Sequence, residues 1–527
     1  MTQSKPSRLR YLVDNNKQHL LCNGLKGLEK ESLRVSNQGM IATTPHPYVL
    51  GSALTHSSIT TDYSESLLEF ITPPFADIKQ TLEFLHQTHQ FVTENLEDEM
   101  LLATSMPCGI NGDESIPIAH YGYSNIGQMK HIYRQGLSYR YGRTMQSIAG
   151  IHFNYSVPQP LWLILKQQSD KTTQSLTDFI SDGYFGLIRN FQRQGWLILY
   201  LFGASSAICK SFFKSRPQLM SQFDELDAHT LYYPFATSLR MSDIGYKSTN
   251  QANLKIDYNS LKGYVDTLAV AMNTPYPDYE SIGVKANGDY KQLSPNTLQI
   301  ENEFYSTVRP KQTIHSGEKP TLALKNRGIE YVEIRSLDLD VFNPIGIDET
   351  KARFVEAFLL QCLLEESPLH NTDEQDINNS NQIAVAHGGR EPSIKINRQG
   401  QMIPLRTWAN DILQAMQPIC DILDAGKRDK PYSAALKEQQ ARVNDADLTP
   451  SARILQAMKQ QQQPFGCFGL DASKKHNDYF KSQAPLDQAM VAQFKEMAEK
   501  SHRQQQQIEA NDVLSFDDFL TQYFAQH

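Results

Sequence analysis

Six cysteines stand in 527 residues, and no two of them form a Cys-x-x-Cys pair. Cys22, Cys108, Cys209, Cys362, Cys420 and Cys467 are scattered, which excludes a zinc ribbon or a dithiol redox motif. Such usage suits a reducing cytoplasm, with each thiol expected to be a small buried hydrophobe. Long apolar runs are also missing. The nearest, Trp196 to Cys209, is broken by Gly203, Ser205 and Ser206; it is too short to span a membrane and reads as buried core. Met1 to Arg10 carries positive charge with no apolar segment behind it, so no secretory signal is expected. There is no basic excess: 50 Lys+Arg against 58 Asp+Glu leaves a net charge of −8. A chain of that charge is not built to coat nucleic acid or an anionic membrane. Neither G-x-x-x-x-G-K-[ST] nor G-x-G-x-x-G occurs, which argues against a P-loop or a Rossmann site. His315-Ser316-Gly317-Glu318-Lys319-Pro320 looks like a zinc-finger linker, but without paired cysteines it reads as a surface turn.

What is present is an ordinary globular composition, 40% hydrophobic and 20% charged, which excludes a wholly disordered chain. The character changes near residue 365. Residues 1–365 are expected to form the core that carries the polar strand segments described below. Residues 366–527 are expected to be a helical, Gln-rich part packed on that domain or continuing it. Asn371 to Gln382 reads as a loop, and the runs Gln460–Gln463 and Gln504–Gln507 as solvated helical faces or linkers. Helices are expected over Asp77–Leu102, Asp182–Leu201 and Asp348–Glu366, each opened by an Asp cap. Others are expected over Trp408–Leu423, with Pro418 kinking or splitting it, and over Leu486–Ala498.

The chemistry sits on five strand-like segments, where residues i and i+2 share a face. Leu28–Glu31 puts Glu29 and Glu31 together; two such carboxylates repel unless a cation lies between them, although a solvated edge strand would look the same. Leu67–Thr72, preceded by Asp62, embeds Glu69 between apolar neighbours; burial there calls for a metal or a core cation. Ile151–Val157 alternates cleanly, with His152, Asn154 and Ser156 on one side. Leu298–Tyr305 aligns Gln299, Glu301, Glu303 and Tyr305, which suits a half-exposed strand with a wet face and Tyr305 best placed to touch a ligand. Tyr331–Arg335 aligns Glu333 with Arg335, an arrangement also expected of a surface ion pair.

Together these segments suggest an antiparallel sheet with helices packed on its apolar face. The other face would gather Glu29, Glu31, Glu69, His152 and Glu333. Oxygen ligands with one imidazole and no thiolate favour Mg²⁺ or Mn²⁺ over zinc. A site with several such ions points to phosphate binding and phosphoryl transfer, with Arg335 positioned to clamp a phosphoryl oxygen.

At these residues the sequence resembles the glutamate–cysteine ligases (γ-glutamylcysteine synthetases) of the proteobacterial type. The matching words include Gly27–Val35 (GLEKESLRV), Gly51–His56 (GSALTH), Leu67–Pro73 (LLEFITP), Ser105–Cys108 (SMPC), Tyr133–Leu137 (YRQGL), Gly150–Asn154 (GIHFN), Ala236–Asp243 (ATSLRMSD) and Gly328–Asp338 (GIEYVEIRSLD). They run in order through residues 20–365; beyond that only Asp447–Leu455 matches. The resemblance implies an α+β fold of the glutamine-synthetase-like kind, a curved antiparallel sheet forming a funnel with helices behind it. It implies ATP-dependent joining of the L-glutamate γ-carboxylate to the amine of L-cysteine through γ-glutamyl phosphate, the first step of glutathione biosynthesis. By the same resemblance Glu31, Asp62 and Glu69 hold one Mg²⁺, and Glu29, His152 and Glu333 hold the others. Arg335 contacts the transferred phosphoryl group, while Tyr133, Arg134, Arg240, Tyr246, Tyr305 and Asn154 are the expected substrate contacts. The implied partners are ATP, glutamate and cysteine, with glutathione as a feedback inhibitor, and the implied location is cytoplasmic. Other carboxylate–amine ligases and Mg²⁺-dependent phosphohydrolases remain the rival readings of the same residues.

Overall fold

The computed structural model describes residues 7–171, 173–245, 251 and 254–526; Tyr246 lies outside the described residues. The chain folds as α+β around a seven-stranded sheet. Its strands are β1 (Leu25–Ser36), β2 (Ile59–Thr61), β3 (Leu67–Ile71), β4 (Glu99–Leu101), β5 (Ile151–Ser156), β6 (Val308–Lys311) and β7 (Tyr331–Leu337). Every pairing is antiparallel, in the order β6-β7-β5-β1-β3-β2, with β4 added to the end of β1. Pro310 is tolerated because β6 is an edge strand, where a missing N–H breaks no inner ladder.

The twelve-residue β1 reads LKGLEKESLRVS, and its alternation sorts the two faces. Lys26, Leu28, Lys30 and Ser32 turn to the helices, opposite Tyr155, Phe153 and Ile151 of β5 and Leu68 and Phe70 of β3. Gly27, Glu29 and Glu31 turn the other way. The apolar side is covered by α1 (Ile78–Glu94), α3 (Leu176–Gln194) and α5 (Glu349–Leu364), and the helices α7 (Leu405–Leu423) and α8 (Pro431–Asn444) pack on α5. One continuous apolar core joins Leu28, Phe153 and Val332 of the sheet to Ile412, Leu455 and Phe494 of the C-terminal helices. Among the described residues, no helix is long and apolar enough to cross a membrane.

Several sequence expectations are corrected. The helix expected to reach Leu102 ends at Glu94, and the chain returns as strand β4. The helix expected from Asp182 starts a turn and a half earlier, capped by Ser175. It stops at Gln194, and Gly195 separates it from α4 (Trp196–Phe202). Asn371 to Gln382 is not a loop: Asn371 caps α6 (Thr372–Gly388), accepting from the Glu374 amide at 2.8 Å, so the polar run is a helix start. Pro418 neither ends nor splits α7, whose buried stripe from Trp408 to Leu423 holds the helix through the lost hydrogen bond. Leu298–Tyr305 is not a strand; it turns through Glu301–Glu303, and both acids are buried. Glu303 accepts from Arg140 Nη1 and Tyr141 Oη, each at 2.8 Å, and Glu301 from the Thr321 hydroxyl. The alternation there marks partnered acids rather than a wet face. Glu333 likewise is only 1% exposed, so its pair with Arg335 is no surface pair. Cys108, Cys209, Cys362 and Cys420 are buried as expected and Cys22 half-buried, but Cys467 is exposed on α9 (Phe465–Ser482).

A buried charge pair ties sheet to helices. Lys26 Nζ lies 2.9 Å from Glu356 Oε1 with both side chains 1% exposed, and Tyr432 Oη donates to Glu356 Oε2 at 2.7 Å. Removing one partner leaves the other charge buried alone. Glu356→Gln is therefore expected to cost about 3–5 kcal/mol in urea unfolding. The double variant Lys26→Met/Glu356→Gln should recover part of that loss; strict additivity of the two would contradict the coupling.

Candidate active site

The strand register assembles the site. Glu69 of β3 stands opposite Glu31 of β1, Glu29 of β1 opposite His152 of β5, and Asn154 of β5 opposite Glu333 of β7, which pairs in turn with Arg309 of β6. Directly opposed residues share a face, so one row of polar side chains crosses five strands. It resolves into two groups, Glu29–His152–Glu333 and Glu31–Glu69–His152. In each, one potential ligand atom per residue lies within 4.8 Å of the others. His152 is the hinge between them. Its Nδ1 lies 2.9 Å from Glu29 Oε2 and 3.7 Å from Glu333 Oε1, and its Nε2 is 3.5 Å from Glu31 Oε1. With the Nδ1 proton donated to Glu29, the Nε2 lone pair faces Glu31 and Glu69. Among the described residues that buried atom has no hydrogen-bond partner, which suits a cation ligand.

Asp62 stands outside both groups, although its charge is felt by Glu31 and Glu69. Its backbone oxygen accepts from Tyr121 Oη at 2.8 Å and from Arg134 Nε. Asn154 donates to Glu29 Oε1 at 2.8 Å, so in this structure it orients a carboxylate.

The crowding sets the protonation. Burial, then the charges of Glu29, Asp62 and Glu31, pushes Glu69 well above the usual carboxylate range, and burial raises Glu31. For Glu333, burial is outweighed by Lys311, Arg335, His152 and Arg309, which hold it well below that range. Lys311 Nζ is 3.1 Å from Glu333 Oε1, and Arg335 Nη1 3.3 Å from Oε2. Glu29, opposed by burial and by Glu333, is brought down by His152. One side of the site is thus closely compensated by cations of the chain; around Glu69, where Arg335 and Lys130 are felt, burial and the neighbouring carboxylates still prevail. Oxygen donors with one imidazole, closely spaced and partly uncompensated, fit a hard divalent cation.

Beyond Arg335 the site opens into a cavity of about 450 Å³ lined by Arg240, Asp243, Gln251, Tyr258 and Tyr305. Arg240 is 1% exposed and donates to the Arg335 carbonyl at 3.0 Å. Gly150 is required here, since a Cβ would sit 2.0 Å from Arg240 Nη2. Asp338, wholly buried, lies 3.8 Å from Arg240 and accepts from Ala204, Ser205 and Ser238, fixing that guanidinium. Gln146 Nε2 donates to Tyr305 Oη at 2.6 Å. Tyr133 and Arg134 come from α2 (Asn125–Tyr141), and the acidity of Tyr133 is suppressed by burial and by the nearby Glu303 and Tyr305.

Lys311, Arg309, Gln146 and Asp338 escaped the sequence reading. Arg309 and Lys311 stand at i and i+2, an alternation that could have flagged a cationic strand opposite Glu333; Pro310 between them disguised it. Gln146 and Asp338 lie outside strand alternation, and nothing local announces them.

A family model described as glutamate-cysteine ligase matches residues 9–385. The chain is 49% identical over 506 residues to a glutamate–cysteine ligase of Pseudomonas putida (strain W619), covering 96% of this chain and 95% of that one. It is 47% identical, at the same coverage, to one from Pseudomonas aeruginosa (strain LESB58). Among solved structures, a glutamate–cysteine ligase of Francisella tularensis in complex with AMP superposes with a TM-score of 0.89 at 38% identity, covering 95% of this chain and 97% of that one. A bifunctional glutathione synthetase from Pasteurella multocida superposes at 0.71 and 25% identity, over 91% of this chain and 55% of that one. On the family match, the relatives and the shared fold, the chain belongs to the glutamate–cysteine ligase family.

Proposed function

We propose that the two carboxylate groups around His152 are the phosphoryl-transfer centre for the reaction of this family. That reaction is ATP-dependent joining of the L-glutamate γ-carboxylate to the amine of L-cysteine, the first step of glutathione biosynthesis. The observation that carries the reading is the convergence of Glu29, Glu31, Glu69 and Glu333 on one imidazole, beside Arg335 and a cavity of about 450 Å³. Mg²⁺ or Mn²⁺ held by Glu31, Glu69 and His152, with Asp62 close by, and by Glu29 and Glu333, would neutralise the triphosphate and polarise its terminal phosphorus.

The chain's own residues account for the rest. Arg335 lies at the boundary between the carboxylates and the cavity. Its fixed fork of donors suits the equatorial oxygens of a phosphoryl group in flight to the glutamate γ-carboxylate. The acyl phosphate so formed is attacked by the cysteine amine; the C–N bond forms, and the C–O bond to phosphate breaks. Arg240, locked by Asp338, would hold a substrate carboxylate, and Tyr133, Arg134 and Tyr305 would line the amino-acid subsites. Most of the acceleration in such a site comes from positioning and pre-set charge. The reading is of a cytoplasmic enzyme, with glutathione as a feedback inhibitor occupying the glutamate and cysteine subsites.

The direct test is ADP release with ATP, Mg²⁺ and glutamate, with and without cysteine, with mass detection of γ-glutamylcysteine. ADP formed without cysteine, or only with another amine, would overturn the substrate assignment. Glu29→Gln should abolish turnover with an unchanged circular dichroism spectrum; a folded, active variant would sink the assignment of that carboxylate. Arg335→Lys, which keeps the charge and loses the fork, should lower kcat about 100-fold with little change in the KM for ATP.

A pH dependence follows from Glu69. Its folded carboxyl holds a proton that the unfolded chain releases, so its contribution to stability falls as pH rises through that window. A cation binding the ionised form opposes the loss. The Tm gained from millimolar Mg²⁺ should therefore be larger near about pH 8 than near about pH 5, and Glu69→Gln should flatten the difference. An equal gain at both pH values in the unaltered chain would contradict the account.

A further inference from the structure

The C-terminal segment from Ser501 to Gln526 lies beyond the family match, and no residue past Ile383 lines the cavity. It nevertheless grips the stretch ahead of β2 and the helix α2 that carries Tyr133 and Arg134. The segment comprises the end of α10 (Gln488–Ala510) and the short α11 (Phe516–Phe524).

The first attachment is to the stretch leading into β2 and Asp62. The Ser52 amide donates to Ser501 Oγ at 2.8 Å, Ser52 Oγ to Gln505 Oε1 at 2.5 Å, and Thr55 Oγ1 to the Ser501 carbonyl at 2.6 Å. Gly122, at φ +78, comes close to this helix: a Cβ there would meet Gln505 Nε2 at 2.0 Å and displace that side chain.

The second is to the N-terminus of α2. Asn125, the first residue of that helix, donates its backbone N–H and its Nδ2 to the two oxygens of Asp512, the latter at 2.8 Å, and its Nδ2 also reaches the Leu514 carbonyl at 3.0 Å. The Tyr123 amide donates to Glu509 Oε1 at 2.9 Å. Two carboxylates therefore stand at the positive end of α2, where the helix dipole favours them.

The third is apolar. Leu520 and Tyr523 of α11 close a separate cluster with Met129 and Ile132 of α2 and with Leu293 and Ile300, just ahead of the turn that ends at Tyr305. This cluster covers Met129 and Ile132 of α2, and Tyr133 packs against its edge.

We propose that residues 501–526 are a positioning strap. They touch no substrate, but they set the seat of α2 and thereby the placement of Tyr133 and Arg134. This rests on the reading that those two residues line an amino-acid subsite. Asp512 is the positioning residue with the clearest geometry, because its carboxylate alone takes both donors of Asn125.

The test uses the full chain with Asp512→Ala, Asp512→Asn and Leu520→Ala, and Tyr133→Ala as a control on the subsite. Hydrogen exchange of the amides in 125–134 is read beside KM for each substrate. Asp512→Ala is expected to speed that exchange and to raise the KM for cysteine or glutamate about five- to tenfold, with the KM for ATP within about twofold. Asp512→Asn should restore most of the loss, and Leu520→Ala should act in the same direction. Unchanged exchange in both Asp512→Ala and Leu520→Ala would overturn the strap. Faster exchange with every KM unchanged, while Tyr133→Ala raises one, would show that α2 is loosened without consequence and would equally overturn it. Should Tyr133→Ala also leave every KM unchanged, the subsite reading fails, and the proposal falls with it. A proportionate loss in all KM values and in kcat would mark a general folding defect and count against the strap.

Discussion

Like charge crowded on one face of a sheet is the constraint around which this structure is arranged. Cross-strand register fixes Glu69 beside Glu31 and Glu29 beside His152. Such a face is stable only with opposite charge close at hand. The chain supplies that charge unevenly. Lys311, Arg335 and Arg309 hold Glu333 in its ionised form, whereas Glu69 meets mainly other carboxylates. On the proposed reading, this asymmetry makes the Glu31–Glu69 side the stronger seat for an added cation. His152, with one nitrogen toward each group, couples the two sides.

The reverse face of β1 shows what it takes to hold that strand in place. Lys26 is neutralised by Glu356 of α5 and reaches the Ala76 carbonyl in the bend before α1, tying the strand to both elements. Among the described residues, Lys30 pairs with no carboxylate. Burial lowers it to about 7, and its Nζ is 2.8 Å from Ser32 Oγ and 2.9 Å from His89 Nε2. A strand with acids on one face and lysines buried behind it is costly to form alone. The large shared core, drawing on helices as far along the chain as Phe494, supplies the burial that makes it affordable.

Much of this was legible in the sequence because strand chemistry is local. GLEKES, LLEFIT, IHFNYS and YVEIRS each announce their faces by alternation, and each proved to be a strand of the central sheet. LQIENEFY failed the same test. Buried acids satisfied by Arg140 and Thr321 alternate just as exposed ones do, so the pattern could not tell a turn from a strand. Asn371 to Gln382 failed for a related reason, since Asn and Ser mark helix caps as readily as loops. What no local pattern could give is the long-range partnership. The hold of Lys311 on Glu333, of Asp338 on Arg240 and of Asp512 on Asn125 each joins residues more than twenty positions apart.

The account turns on the two carboxylate groups being separate cation seats that share one imidazole. The most direct measurement is a Mn²⁺ titration of the full chain followed by electron paramagnetic resonance, with Glu69→Gln and Glu333→Gln compared against the unaltered protein. Two classes of bound ion are predicted, with Glu69→Gln removing one and Glu333→Gln weakening the other. A single class of site, or unaltered binding in both variants, would contradict it.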